Sequence, residues 1–303
     1  MTTYAVTGAS GQLGRKVLDA MLERVDAPTI VALARDPAKL TEYAAKGIDV
    51  RQADYDDPAS LEHALEGVDR VLLISGNAVG QRERQHGNVI EAAKKAGVEY
   101  IAYTSILNAA DSKLALAPEH KATEKLLENS GLNYDLLRSG WYSENFVGSL
   151  PQQVEAGAIY GASGEGRYST ATRADIAAGA AAALVGSKGG NVYECSGDES
   201  WTMAEFAEEV SHRAGKPVEY VNQSEADYAR TLEGAGLPPP VAAMLASTSA
   251  LAGQGELENN ERQLSQLSGK PTTPLGEVIG AALKCCEILP VAPRWGGGRP
   301  ARA

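Results

Sequence analysis

Tyr4-Ala5-Val6-Thr7-Gly8-Ala9-Ser10-Gly11-Gln12-Leu13-Gly14-Arg15-Lys16-Val17 decides the fold. An apolar run leads straight into Gly8, Gly11 and Gly14, and a helical pattern opens behind them. Glycine is required in three places: where a strand turns sharply into a helix, where the backbone must approach a diphosphate closely, and where the helix packs tightly on the sheet. The free N–H groups of the first helical turn and the positive end of the helix macrodipole then face that diphosphate. The loop of Gly8, Ala9, Ser10, Gly11, Gln12, Leu13 and Gly14 is therefore expected to hold a dinucleotide.

Outward from this loop, compact β-branched runs alternate with amphipathic stretches, the pattern of βαβ units on a parallel sheet. The runs 4–7, 29–34, 49–53, 70–75, 100–105 and 134–138 read as strands. The stretches 11–25 and 82–96, and one opening at Pro58, read as helices, with Gly97 as a C-cap. After Trp141 the alternation loosens. Residues 174–185 read as an Ala-rich buried helix, and Ser200 or Thr202 caps another. The fold class expected is α/β: a doubly wound parallel Rossmann sheet with a smaller, mostly helical α/β second domain. Residues 1–140, completed by parts of 170–200, form the dinucleotide domain. Residues 141–287 form a substrate or lid domain, and the Gly-, Pro- and Arg-rich 288–303 a disordered tail.

At the end of the second run stands Arg35, about twenty residues after Gly14, where a carboxylate would accept from the ribose 2′-OH of NAD. A guanidinium there pairs bidentately with a 2′-phosphate, so the cofactor expected is NADP(H). Lys39 adds positive charge one turn on.

Composition narrows the partners. The 303 residues carry a formal net charge of −11, which repels phosphate backbones and argues against nucleic acid. No apolar run approaches the ~20 residues of a spanning helix, and no signal peptide is read at the start. Cys195, Cys285 and Cys286 form no disulfide framework, so a reducing compartment, the cytoplasm, is expected. No metal-ligand set is read.

With these residues in place, the chain resembles the NmrA-like group of atypical short-chain dehydrogenases/reductases. The likeness spans residues 2 to 285. It rests on Val6 to Gly14, Arg51-Gln52-Ala53-Asp54-Tyr55, Leu73-Ile74-Ser75, Tyr103-Thr104-Ser105 and Gly140-Trp141-Tyr142-Ser143-Glu144-Asn145. The resemblance implies that Asp54, Tyr55, Ser75, Gly76 and Asn77 line the cofactor. It also implies that Tyr142, Ser143, Glu144, Asn145, Phe146 and Val147 close over the nicotinamide end, and that the segment at Arg173 returns the second domain to the groove. Arg173 reaches the cofactor or, the default for its spacing, pairs with Asp175.

Ordinary short-chain dehydrogenases use a Tyr-x-x-x-Lys pair to protonate an alkoxide. Here the Tyr slot holds His120 and the Lys slot Glu124, which disfavours alcohol chemistry. A quinone suits the loss, because its ring accepts hydride readily and the product anion needs only a proton. An NADPH-dependent reductase of a small quinone-type acceptor is expected. A non-catalytic NADP-binding redox sensor and a reductase of azo or triphenylmethane dyes are the alternatives. Tyr142 is the first candidate for the donor at the acceptor oxygen and His120 the second, although a histidine beside Pro118 at a helix start is commonly solvated. Thr104 and Ser105 either bond the ribose or nicotinamide or cap their loop. Trp201 anchors the second core, and a homodimer is compatible with the sequence.

Overall fold

Parallel strands can pair side by side only if each connection crosses over one face of the sheet. The computed structural model describes residues 1–288, and of 285–288 the backbone alone, and it shows that arrangement. β1 (Tyr4–Val6) and α1 (Gln12–Leu22) are followed by β2 (Ile30–Ala34), α2 (Thr41–Ala44), β3 (Asp49–Gln52), α3 (Pro58–Ala64), β4 (Arg70–Leu73) and α4 (Arg82–Ala96). Next come β5 (Tyr100–Ile106), α5 (Ala117–Glu128), β6 (Asn133–Ser139), α6 (Glu144–Val147), α7 (Leu150–Ala156), β7 (Ala158–Gly161) and β8 (Arg167–Tyr168). The chain continues through α8 (Arg173–Gly186), β9 (Asn191–Cys195), β10 (Trp201–Thr202), α9 (Met203–Ala214) and β11 (Glu219–Asn222). Four helices follow: α10 (Glu225–Gly234), α11 (Pro239–Ala252), α12 (Gln263–Ser268) and α13 (Leu275–Ile288).

The main sheet has seven strands in the order β3-β2-β1-β4-β5-β6-β9, all parallel. The order reverses at β1, so a crevice opens beyond the carboxyl ends of β1 and β4, where ligands of such sheets gather. Side chains alternate between two buried faces. Val6, Leu72, Ala102 and Leu137 pack under α1 and α8 with Leu18, Met21 and Leu184, and α12 adds Leu264. Leu33, Val71, Ile101 and Tyr103 pack under α3, α4 and α5 with Leu61, Val89 and Leu127. A third core gathers Ile159, Tyr168, Trp201, Phe206, Leu257 and Ile279 around the β7–β11 and β8–β10 pairs.

The caps lie where the chain chemistry places them. Gly97 ends α4 in the left-handed region at φ 76°. Thr172 and Thr202 each start a helix with a reciprocal capping box, to Asp175 and Glu205, so Thr202 rather than Ser200 caps α9. The sheet gains a seventh strand, β9, beyond the six read from sequence. β4 stops at Leu73, two residues early, because the Ile74 and Ser75 amides donate to the Thr7 and Thr104 hydroxyls instead of to strand carbonyls. Residues 289–303 of the expected tail lie outside the described residues. Among the described residues no helix is long and apolar enough to cross a membrane.

Candidate cofactor and active site

Gly8 sits at φ 58°, a left-handed conformation that turns β1 into the helix. At Gly14 a side chain has no room: a Cβ there would lie 2.4 Å from the Gly8 carbonyl oxygen and 2.7 Å from Ala9 Cα. Helix α1 and the loop thus press together. The Ala9 N–H donates to Leu33 O and the Gly11 N–H to Gly8 O, each at 3.0 Å, which fixes the loop. No side chain caps α1, and its first turn carries no acidic residue. The amides of Ser10, Gln12 and Leu13 meet no acceptor among the described residues. This cradle of unpaired donors at a positive helix end fits a dinucleotide diphosphate.

The floor beside the loop is built in the opposite way, with the amides of Ile74, Ser75 and Gly76 all engaged. The Ile74 N–H donates to Thr7 Oγ1 at 3.0 Å, the Thr7 hydroxyl bonds Tyr55 Oη, and the Tyr55 hydroxyl donates to Ile74 O at 2.8 Å. This closed ring ties the ends of β1 and β4 to the loop after β3. Burial raises the Tyr55 pKa, so its phenol stays neutral and serves as a wall. The Ser75 N–H donates to Thr104 Oγ1 at 2.8 Å, and the Gly76 N–H to His86 Nε2 at 2.9 Å. Three successive amides therefore face inward, and what Ser75 and Asn77 offer a ligand is their side chains. Thr104 keeps its hydroxyl proton, whereas Ser105 donates its own to Glu124 Oε1 at 2.6 Å.

Arg35 is exposed and makes no hydrogen bond or ion pair among the described residues. Its neighbour Asp36 accepts from the Ala38 N–H at 3.1 Å and caps a 3-10 turn. Lys39 is exposed on that turn, and the Arg15 guanidinium bonds its carbonyl and the Glu42 carboxylate. Asp54 accepts from the Asp56 N–H at 3.0 Å and shapes the turn that presents Tyr55.

The 142–147 segment divides between two surroundings. Tyr142 is half-buried against the cluster that includes Ala9 and Leu13, the Arg173 guanidinium carbon stands 4.2 Å from its ring centroid, and burial raises its pKa. Ser143 is buried and donates to Thr170 Oγ1 at 2.9 Å. Glu144 accepts from the Arg173 N–H at 2.9 Å and pairs with its guanidinium at 3.5 Å, and Asn145 accepts from it at 3.3 Å. The expected Arg173–Asp175 pair is thus corrected: Asp175 is occupied by the Thr172 cap and by Thr273. Phe146 packs edge-on against Trp201 at 4.8 Å and Tyr168 at 5.1 Å, and Val147 joins the same third core. A cleft of about 510 Å³ opens beside Ser143, Thr170 and Trp201, closed by residues of the 262–275 stretch.

His120 is not the solvated residue its helix-start position suggests. It is 5% exposed, its Nδ1 shares a 2.7 Å hydrogen bond with the Tyr103 hydroxyl, and burial with the Arg82 charge draws its pKa down to about 4. Glu124, in the slot where a lysine would stand, is buried and forked with Arg138 at 3.0 and 2.7 Å. Arg138 also reaches Glu194 at 3.1 Å, which ties β5, β6 and β9 beneath the site.

Sequence reasoning missed His86 and Arg82, both buried on α4. The signal was there: Arg82, Gln85 and His86 continue the inward spacing of Val89, Ile90 and Ala93, so polar groups occupy apolar positions.

The model of an NAD(P)H-binding family matches residues 8–186. Quinone oxidoreductase 2 of Escherichia coli (strain K12) is 51% identical over 277 residues, 91% of this chain and 96% of the relative. The crystal structure of an NADPH-dependent quinone oxidoreductase from Escherichia coli, complexed with NADPH, aligns with a TM-score of 0.90 at 50% identity, covering 93% of this chain and 100% of that one. Citrobacter sp. triphenylmethane reductase complexed with NADP(H) aligns with a TM-score of 0.89 at 35% identity, covering 92% and 100%.

Proposed function

The chain belongs to the NAD(P)H-binding family, and from that premise we propose that it is an NADPH-dependent oxidoreductase that passes hydride to a quinone-type acceptor. The full-length likeness to a quinone oxidoreductase carries this reading. The unpaired amides of the glycine loop and the uncommitted Arg35 support it. NADPH, when bound, supplies the hydride, and the quinone oxygen takes up a proton to complete the hydroquinone.

The protein's own residues then have separate tasks. Gly8 to Gly14 hold the diphosphate against the amides of α1. Arg35 and Lys39 meet the 2′-phosphate. Tyr55, Ser75, Gly76 and Asn77 form a firm wall, and Thr104 offers a hydroxyl at the end of β5. Tyr142, a neutral phenol with no other hydrogen-bond partner among the described residues, is the donor at the acceptor oxygen. Its ring is kept in place by Arg173, which Glu144 orients. Catalysis here is mostly proximity, with reacting atoms held about 3–3.5 Å apart. His120, sealed behind Tyr103, carries no part of it.

Residues 141–287 are the part that receives the acceptor. We place the protein in the cytoplasm, which the buried free thiol of Cys195 among the described residues supports. Its assembly, single chain or homodimer, is read by light scattering. The test of function is direct: purified protein, NADPH and a benzoquinone or naphthoquinone, followed by nicotinamide absorbance. Oxidation above the uncatalysed rate supports the reading, and its absence across both quinones refutes it.

A further inference from the structure

The Gly76 peptide is gripped from both sides by buried polar groups that the hydride-transfer chemistry does not use. Its N–H donates to His86 Nε2 at 2.9 Å, and its carbonyl accepts from Arg82 Nε at 2.6 Å. Both grips come from the first turns of α4, and both are anchored on α5. Because Nε2 accepts, the neutral imidazole carries its proton on Nδ1 and donates it to Thr123 Oγ1 at 2.9 Å, and Thr123 in turn donates to Glu119 O at 3.0 Å. Arg82 pairs with Glu119 at 3.2 Å, and the same carboxylate accepts from the Gly80 and Arg82 amides. His86 is fully buried, edge-on to Tyr103 at 5.4 Å and to Tyr55 at 6.1 Å.

The gripped loop borders the glycine loop: a Cβ on Gly8 would stand 3.7 Å from Ile74 Cβ and from the Tyr55 hydroxyl. We propose that His86 is a positioning residue for NADPH, acting through Gly76: by accepting its amide it holds the 75–77 wall in the form that binds the cofactor. This rests on the functional reading above. An imidazole that must stay neutral to accept suits the role, and burial, His120 and the Arg82 charge hold its pKa down to about 3. Freeing the amide leaves a buried donor unpaired, which the loop relieves by shifting, and apparent affinity falls with the fraction of loops still in place.

Two substitutions separate positioning from simple support of the core. The far end of a glutamine reaches where Nε2 stands, so His86→Gln keeps an acceptor for Gly76 and abandons Thr123. Asparagine reaches where Nδ1 stands, so His86→Asn keeps the Thr123 bond and abandons Gly76. His86→Asn should raise the KM and Kd for NADPH about tenfold, a loss of one short loop contact, while kcat at saturating NADPH falls far less. His86→Gln should recover most of the loss in KM, whatever either does to Tm. Equal KM changes in both, or lowered Tm with KM untouched, overturn the proposal. Should His86→Asn not fold, His86→Gln is read alone against wild type: because it keeps the acceptor for the Gly76 amide, its KM for NADPH should stay within about threefold of wild type, and a tenfold rise overturns the proposal. Failure of the unmodified chain to bind NADPH refutes the functional reading and this inference with it. Binding by wild type with no Asn–Gln contrast refutes this inference alone.

Discussion

Arg35→Ala isolates the 2′-phosphate from every other part of the cofactor. Arg35 is exposed and makes no hydrogen bond or ion pair among the described residues, its charge acting only weakly on Asp56, so its removal should leave folding within about 0.5 kcal/mol and Tm nearly fixed. A charge-assisted hydrogen bond contributes about 1.5–3 kcal/mol, which is roughly ten- to a hundredfold in affinity. Water competes at so open a position, so the lower end applies, about tenfold on the KM for NADPH. NADH lacks the phosphate, and its KM should not move. Asp36 will not take over as a ribose acceptor, because its carboxylate caps the Ala38 amide. Raising salt from 0.1 to 1 M shortens the Debye length from ~10 to ~3 Å, which should narrow the NADPH-over-NADH preference more in wild type than in the variant, where Lys39 alone remains. The assay is the steady-state rate of quinone reduction with each cofactor at both salt levels. An equal loss for both cofactors, or none for either, refutes the assignment of Arg35 as selector.

Three further outcomes follow from the geometry. Gly14→Ala places a methyl 2.4 Å from the Gly8 carbonyl, so the loop must open. A cost of about 1–3 kcal/mol should appear as lower Tm and at least severalfold weaker NADPH binding by titration calorimetry, and an unchanged Kd would contradict the cradle. Tyr142→Phe should lower kcat roughly tenfold with the KM for NADPH unchanged. That is less than the 10²–10³ of a sealed donor because water reaches a half-buried phenol, and an unaltered kcat removes Tyr142 from the chemistry. Buried His86 and His120 bind protons less readily folded, at pKa values of about 3 and 4, than at the ordinary value of 6.5. The unfolded chain therefore takes up more protons between those values, and their contribution to stability, present above pH 6.5, is lost as pH falls toward 4, by up to about 1.4 kcal/mol per unit per histidine. Thermal melts from pH 7 to 5 should show this acid slope, and His120→Gln should flatten it; an identical slope in the variant would refute the burial argument.

The turns of the glycine loop, the six strands β1 to β6, the cap at Gly97 and a cap at Ser200 or Thr202 were legible in the sequence, because each is a local demand: a left-handed turn, a close approach, a helix end, an alternating run. From the chain alone came the expectation of a diphosphate at one end of the sheet with a cationic partner. Only tertiary structure decided what surrounds it. That His86 reaches back ten residues to Gly76, that Tyr55 closes a ring with Thr7 and Ile74, and that Glu124 meets Arg138 and Ser105 are pairings between distant segments whose spacing encodes nothing about contact. The same holds for His120, solvated by its position in a helix start yet buried once α5 docks on β5. Local conformation follows from bonded neighbours, whereas burial and partner choice follow from packing that the whole chain makes at once.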